Sequence, residues 1–368
     1  MTLDNNTRAF FELVRAGLWE KEVRLAPFGE IDFTEILRLA EEQSVVGLVA
    51  AGLEHVTDTK PAKKDVLQFI GQSLQLEQHN NAMNHYIRVL IEQLRDNGIY
   101  AVLIKGQGVA QCYKRPLWRA CGDIDLLLDE TNYEKAKQFL VPLADSVDKE
   151  FVDFKHLGMS IGAWVVELHG TLHCRLSKRI DRTIDEVQDR VFCQGEVRTW
   201  HNEDMDVFLP SANSDIIFLF THILKHFYQG GIGLRQICDL CRFVWTYKGN
   251  IEKELFEKKL NEMGIRAEWK AFAAYMVDML GMPAKAIPFY SSDKKWSRKA
   301  KAINRFVLEV GNFGHNRDSY NSKKHSFVIG KAISLWWRTR DSFRHFFIFP
   351  WNSIKAWWTV LVTGIKLV

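Results

Sequence analysis

Apolar residues in this 368-residue chain keep helical spacing at both ends and gather into strand-like runs only in the middle. That switch of period limits the fold more than any other feature. Over residues 7–97 the spacing is helical, as in Phe10, Phe11, Leu13, Val14 and Leu18, then Ile36, Leu37 and Leu39, then Val66, Phe69, Ile70 and Leu74. Asp32 or Thr34 suits the cap of the second helix, and the last helix runs long before Gly98 stops it. Between 98 and 210 the pattern mixes. IYAVLIK and IDLLL read as strands, GQGVAQCY as a short glycine-opened helix and residues 132–141 as a longer one. FVDFKHLGMSI and WVVELHG read as two strands, and Gly162 with Ala163 between them suits a hairpin turn. Residues 211–290 are helical again, ending at Pro283 and Pro288, and 291–368 form a basic, aromatic region. The expected fold is α+β: a small mixed β-sheet core at 98–210, flanked by N-terminal helices at 1–97 and a C-terminal helical bundle.

The chemistry concentrates in that sheet. Asp123 and Asp125 stand two apart on a strand, so both side chains leave one face while Ile124 and Leu126 enter the core. Two carboxylates aimed together repel, and a divalent cation relieves them. Hard oxygen ligands in a half-open arrangement suit Mg²⁺, with Mn²⁺ as a substitute. Phosphoryl or nucleotidyl transfer favours a pair of such ions, which calls for a third acid. Glu167, between Val166 and Leu168 in an apolar strand, fits that role. Upstream, Gly106 and Gly108 follow a strand and open a helix, which lets backbone N–H groups approach a phosphate. Lys105 and Arg119 add positive charge, and Gly122 precedes the aspartates. For Lys105 and Arg119 a surface pairing with Asp129 or Glu130 is the simpler alternative. For the aspartates the alternative is a solvated strand end.

In this order the elements resemble the DNA-polymerase-β-like nucleotidyltransferases: a glycine turn, D-x-D on a strand, then a later acid on an adjacent strand. More closely, the K-G, R-x-x-G-D-I-D-L-L and E-L-H elements are similar to a bacterial family of uncharacterised nucleotidyltransferases labelled type 5. LRLAEEQSVVGLV and HILKHFYQGGIGLRQICDLCRF share in the likeness, which spans residues 35–244. The resemblance implies that Asp123, Asp125 and Glu167 bind catalytic metal and that Gly106 and Gly108 meet the phosphates of an NTP. Lys105, Arg119 and Gly122 complete the expected nucleotide-binding set. Gln107 departs from the usual superfamily turn, where Gly or Ser follows the first glycine. The implied activity moves an NMP from an NTP to a hydroxyl acceptor. A small molecule or protein acceptor ranks ahead of RNA, although RNA-modifying toxins belong to the same superfamily and no RNA-binding motif is visible. The rival is a degenerate fold that binds a nucleotide or partner without turnover.

The remaining features are milder. A net charge of +4 does not mark a dedicated nucleic-acid binder. Six dispersed cysteines and an N-terminus without a signal-peptide pattern point to a cytoplasmic protein with free thiols, including Cys238 and Cys241 of CDLC as buried helical residues. His222 and His226 lie one helical turn apart but lack the glutamate of HExxH, so packing or substrate contact is expected rather than zinc. His169 and His173 are read as structural, and Arg235 with Asp239 as an i,i+4 or interhelical ion pair. In the tail, Trp336, Trp337, Phe343, Phe346, Phe347, Trp351, Trp357 and Trp358 stand among cations such as Arg305, Lys323, Lys324 and Arg344, against Glu309, Asp318 and Asp341. Helices covering the core are the first expectation there, ahead of peripheral membrane contact or a polyanion surface.

Overall fold

The computed structural model describes residues 3–59, 61–314, 316 and 327–366, so Asp318, Lys323 and Lys324 lie outside the described residues. The first two helices begin where the sequence offers a carboxylate oxygen to their first N–H groups. Asp4 accepts from Thr7 N at 2.9 Å and opens α1 (Asn5–Trp19). At α2 (Phe33–Glu42) the cap is Asp32, which accepts from Thr34 N and Glu35 N, so Thr34 is the helix's second residue rather than its cap. The next helix, α3 (Val46–Leu53), crosses α1 at backbone contact. A Cβ on Gly17 would stand 2.0 Å from Leu48 O, and one on Gly52 2.1 Å from Leu13 O. Helix α4 (Lys63–Asp96) runs long and gives way at Gly98, whose φ of +64° is a left-handed conformation suited to glycine.

The sheet follows. Strand β1 (Val102–Ile104) leads through the short α5 (Gly106–Ala110) to β2 (Asp123–Leu127), α6 (Glu130–Leu140), β3 (Ser146–Val147) and the hairpin of β4 (His156–Ile161) and β5 (Trp164–His169). Spatial order is β1-β2-β5-β4-β3, with β2 and β5 parallel and the other neighbours antiparallel. Ile161 pairs with Trp164 across the Gly162–Ala163 turn, as the sequence implies. One face of the sheet is apolar: Leu103, Ile124, Leu126, Val166, Leu168, Leu157 and Met159 join Met83, Ile87, Leu90 and Leu94 of α4 and Tyr133 and Leu140 of α6 in one core. Strict alternation sends Asp123, Asp125, Glu167 and His169 to the other face.

That polar face looks toward helices. After α7 (Lys178–Cys193) and the hairpin β6 (Val197–Asn202) and β7 (Met205–Pro210) come α8 (Ala212–Gln229), α9 (Leu234–Thr246), α10 (Lys253–Met263), α11 (Arg266–Asp278) and α12 (Lys294–Val310). The helix α7 and the second hairpin have no counterpart in the sequence reading, because their stretch is polar and carries no long apolar run. Cys238 and Cys241 are buried thiols on α9, as expected. The chain closes with α13 (Phe327–Ile348) and α14 (Pro350–Lys366), which set Ile348, Phe349 and Ala356 into the same core as α8 to α12. No described helix is long and apolar enough to cross a membrane.

Close packing at the N-terminal helices is open to test. Gly52→Ala should lower the unfolding free energy by about 1–3 kcal/mol through overpacking, whereas Gly71→Ala, whose new methyl would meet nothing within 4 Å on α4, should leave it level or raise it by up to ~1 kcal/mol. Urea denaturation of the two variants measures the contrast.

Candidate active site

Register, not loop conformation, assembles the acids. Because β2 and β5 run parallel with Asp123 beside Val165, Asp125 beside Glu167 and Leu127 beside His169, the acidic side chains of both strands emerge on one face. Carboxylate oxygens of Asp123, Asp125 and Glu167 lie within 4.8 Å of one another. The β4–β5 pairing adds His156 opposite His169, with ring centroids 4.8 Å apart.

Asp125 is 2 % exposed and accepts from two donors at the same oxygen: Lys105 Nζ at 2.9 Å and His169 Nε2 at 2.7 Å, both on Oδ1. Its second oxygen is consumed by neither. Glu167 Oε2 accepts from His156 Nε2 at 3.1 Å and lies 3.4 Å from His169 Nε2. An ionised carboxylate only accepts, so the Nε2 atoms must carry the protons in these contacts. The titration behaviour follows. Burial pushes the Asp125 carboxyl up, but the Lys105 ammonium and the His169 hydrogen bond outweigh it and hold Asp125 below the ordinary range. Hydrogen bonds from His156 and His169 hold Glu167 well below the ordinary range. Asp123 goes the other way, raised first by the charge of Asp125 and then by burial. Lys105 is raised because the three acids outweigh its own burial. Three carboxylates thus converge where, among the described residues, only one ammonium, that of Lys105, bonds to them, which leaves a set of hard oxygen donors. That donor set fits a divalent cation.

Backbone geometry delivers Lys105. Its φ of 55° and ψ of −143° fall where non-glycine residues are strained, and the turn brings the ammonium to Asp125. Gly106 follows at φ +40°, with a hypothetical Cβ 3.2 Å from Cys121 Sγ. At Gly108 packing sets the residue, since a Cβ would stand 2.7 Å from a Leu209 methyl of β7. Gly122 has open space where a Cβ would be. Gln107 is buried and donates to Asn80 Oδ1 at 2.7 Å, while Asn80 donates to the carbonyls of Leu117 and Arg119. The Asn80 side chain therefore ties α4 both to Gln107 of α5 and to the loop before β2.

Neither basic residue pairs with Asp129 or Glu130. Asp129 caps α6, and Glu130 meets Lys155 at 2.5 Å. Arg119 is buried and forms a bidentate pair with Asp239 of α9, Nε to Oδ1 at 3.1 Å and Nη2 to Oδ2 at 2.7 Å, and Tyr113 Oη donates to Oδ1 at 2.8 Å. Arg235 of α9 donates to Ala120 O at 2.8 Å. Both helix-borne groups, Arg235 and Asp239, clasp the loop that leads into β2.

These side chains line a cavity of about 310 Å³ between sheet and bundle, closed on the far side by Leu219, His222, Ile223 and His226 of α8. The ring centroids of the two histidines are 4.4 Å apart, and burial, the leading cause, pushes the His226 imidazole down to about 3 and His222 well below its ordinary range. His173 turns away to Asp185 at 2.6 Å. Sequence reasoning missed His156, and it read His169 as structural although that residue stands two places after Glu167 on the same strand face.

An α+β chain whose acidic triplet sits on adjacent strands of a mixed sheet, facing a helical bundle, has the architecture of a nucleotidyltransferase core. The family model described as uncharacterised nucleotidyltransferase matches residues 29–281, and the chain belongs to that family. No curated protein and no solved structure matches it.

The buried Arg119–Asp239 pair gives a test of the clasp. Asp239→Asn should strand the guanidinium and cost about 3–5 kcal/mol of stability, and Arg119→Lys should fail to restore the bidentate geometry. Equilibrium unfolding in urea reads both.

Proposed function

We propose that this chain transfers a nucleotidyl group from an NTP to a hydroxyl acceptor, with Asp123, Asp125 and Glu167 as the ligands of catalytic Mg²⁺. The observation that carries the reading is the convergence of three carboxylates from two parallel, in-register strands inside one cavity. Membership of a nucleotidyltransferase family supports the reaction class. In the transfer, the acceptor oxygen bonds to the α-phosphorus as the bond from that phosphorus to the pyrophosphate oxygen breaks, and the hydroxyl proton passes to solvent. A pair of Mg²⁺ ions, when bound, supplies the charge that activates the attacking oxygen and steadies the leaving one.

The chain's own groups position and balance charge. His169 and His156 hold Asp125 and Glu167 in fixed orientations, as outer partners of metal ligands do. Lys105 neutralises part of the acid charge at Asp125 and, lining the cavity, would be a cationic partner for a phosphate there. Gly106, which opens α5 and lines the cavity, is where backbone N–H groups would meet a phosphate. Arg119 acts through Asp239 by fixing the loop that carries Gly122 into β2.

Asp123→Asn combined with Asp125→Asn should abolish Mg²⁺ binding by calorimetry and lower Mg²⁺-dependent NTP consumption by at least about 10³-fold, the equivalent of several kcal/mol of lost charge stabilisation. Unchanged consumption in that variant would remove the acids from the chemistry. Wild-type protein that binds Mg²⁺ but consumes no NTP with any acceptor would favour a binding module.

A further inference from the structure

The acid cavity does not end at the histidines. It continues into a second chamber of about 260 Å³ whose lining shares Lys105, His156, His169, His222 and Lys225 with the first. The second chamber adds the rings of Phe151 and Phe154, the hydroxyl-bearing Thr171 and the guanidinium of Arg175, which is stacked on Phe154. Its volume lies just below the range usual for small-molecule sites, about 300–1,000 Å³, as suits a small ligand.

Lys225 is the residue that gives the chamber its chemistry. It projects from α8 into both chambers, and among the described residues no carboxylate forms an ion pair with it. Burial, then the charge of Lys105, push its ammonium below the ordinary range, so the groups around it do not repay its desolvation. A largely buried cation without an acid partner is costly unless an anion arrives. Glu167, the acid on the side of His156 and His169, stands where the two chambers meet.

We infer that the second chamber is the acceptor subsite and takes a small anionic molecule, its phosphate or carboxylate at Lys225 and Arg175 and its hydroxyl toward Glu167. The acceptor role rests on the nucleotidyl-transfer reading; the anion site does not. It also narrows the acceptor from a small molecule or protein to a small molecule.

Inorganic phosphate is the probe, titrated by calorimetry into the full chain in EDTA so that no metal contributes. Wild type should bind it, Lys225→Met should bind at least about tenfold more weakly, and Asp123→Asn should bind no less tightly than wild type. Circular dichroism and the Tm of Lys225→Met separate loss of the site from loss of the fold. Equal binding by wild type and Lys225→Met, or no binding by wild type, overturns the anion site. Competition between phosphate and ATP with Mg²⁺ would assign Lys225 to the nucleotide and overturn the acceptor subsite. Lys225-dependent phosphate binding in a protein that consumes no NTP would keep the anion site and remove the transfer chemistry.

The last two helices carry a second, independent inference. Trp336, Phe343 and Phe347 on α13 are 68 %, 68 % and 82 % exposed, and Trp351, Ile354 and Trp358 on α14 are 79 %, 49 % and 61 % exposed. Their spacings put each trio on one helical face, opposite the buried His345, Ile348, Phe349 and Ala356. Phe343 and Ile354 line one cleft between the helices. Among the described side chains of this hairpin the cations Arg338, Arg340, Arg344 and Lys355 stand against one acid, Asp341, which is buried, and Arg340 and Arg344 also reach Glu309 of α12. Exposed tryptophans among cations, on described helices that are not long and apolar enough to cross a membrane, have the composition of an interfacial anchor.

We propose that α13 and α14 dock on an anionic lipid surface. The full chain should co-sediment with vesicles containing phosphatidylglycerol and far less with pure phosphatidylcholine, and Phe347→Ser with Trp351→Ser and Trp358→Ser should lose that binding with Tm retained. Absence of binding to either vesicle overturns the proposal. A lipid-free dimer that the same substitutions dissociate, seen by analytical ultracentrifugation, would assign the face to a second copy of the chain and overturn it as well.

Discussion

The parallel pairing of β2 with β5 is the constraint on which the rest depends, because it sets Asp125 directly beside Glu167 and directs both, with Asp123 and His169, to one face of the sheet. A slip of one residue in that register would reverse every side chain of one strand, sending an acid into the apolar core of α4 and α6 and a leucine or valine into the cavity. The hydrophobic pattern that holds the sheet together is therefore the same pattern that aims the acids. Assembling the acids carries an electrostatic cost. Lys105 and the two histidines offset part of it, and the converging oxygens of the three acids are what fit the cavity to a divalent cation.

The sheet alone would leave that cavity open. Its other wall comes from α8 and α9, and the connection between wall and sheet is polar. Asp239 draws in Arg119 and Tyr113, and Arg235 holds the carbonyl of Ala120, so the loop entering β2 is clasped to α9 from both ends of a single helical turn. On the opposite side Asn80 of α4 holds the same loop and accepts from Gln107 of α5. The strand that bears the aspartates is thus fixed by hydrogen bonds from two helices far apart in sequence. The strained backbone of Lys105 persists within that framework.

Much of this was legible in the sequence where a local period governs the outcome. The two aspartates share a face because they are two apart on a strand, and Asp32 caps its helix because a carboxylate meets two N–H groups there. The hairpin turn at Gly162 and Ala163 was legible too, and its register already implied that His156 lies opposite His169, a step the sequence reading did not take. What stayed hidden depended on long-range partners. Arg119 and Asp239 are far apart in the chain, and neither has a local signature that marks the other. Lys225 reads as an ordinary helical lysine, and only the fold places it at a cavity among other cations. Gly108 resembles a phosphate-turn glycine in sequence, yet its side-chain space is filled by Leu209 of a hairpin that the apolar pattern did not reveal.

The central claim is that the acid cavity moves a nucleotidyl group. Incubating the protein with α-³²P-labelled and γ-³²P-labelled NTPs in a cell extract with Mg²⁺ tests it most directly. Label from the α-phosphate should enter an acceptor while the γ-label leaves as pyrophosphate, and both should cease when Glu167 is replaced by Gln. Transfer of the γ-label, or α-label incorporation that is indifferent to Glu167, would contradict the account.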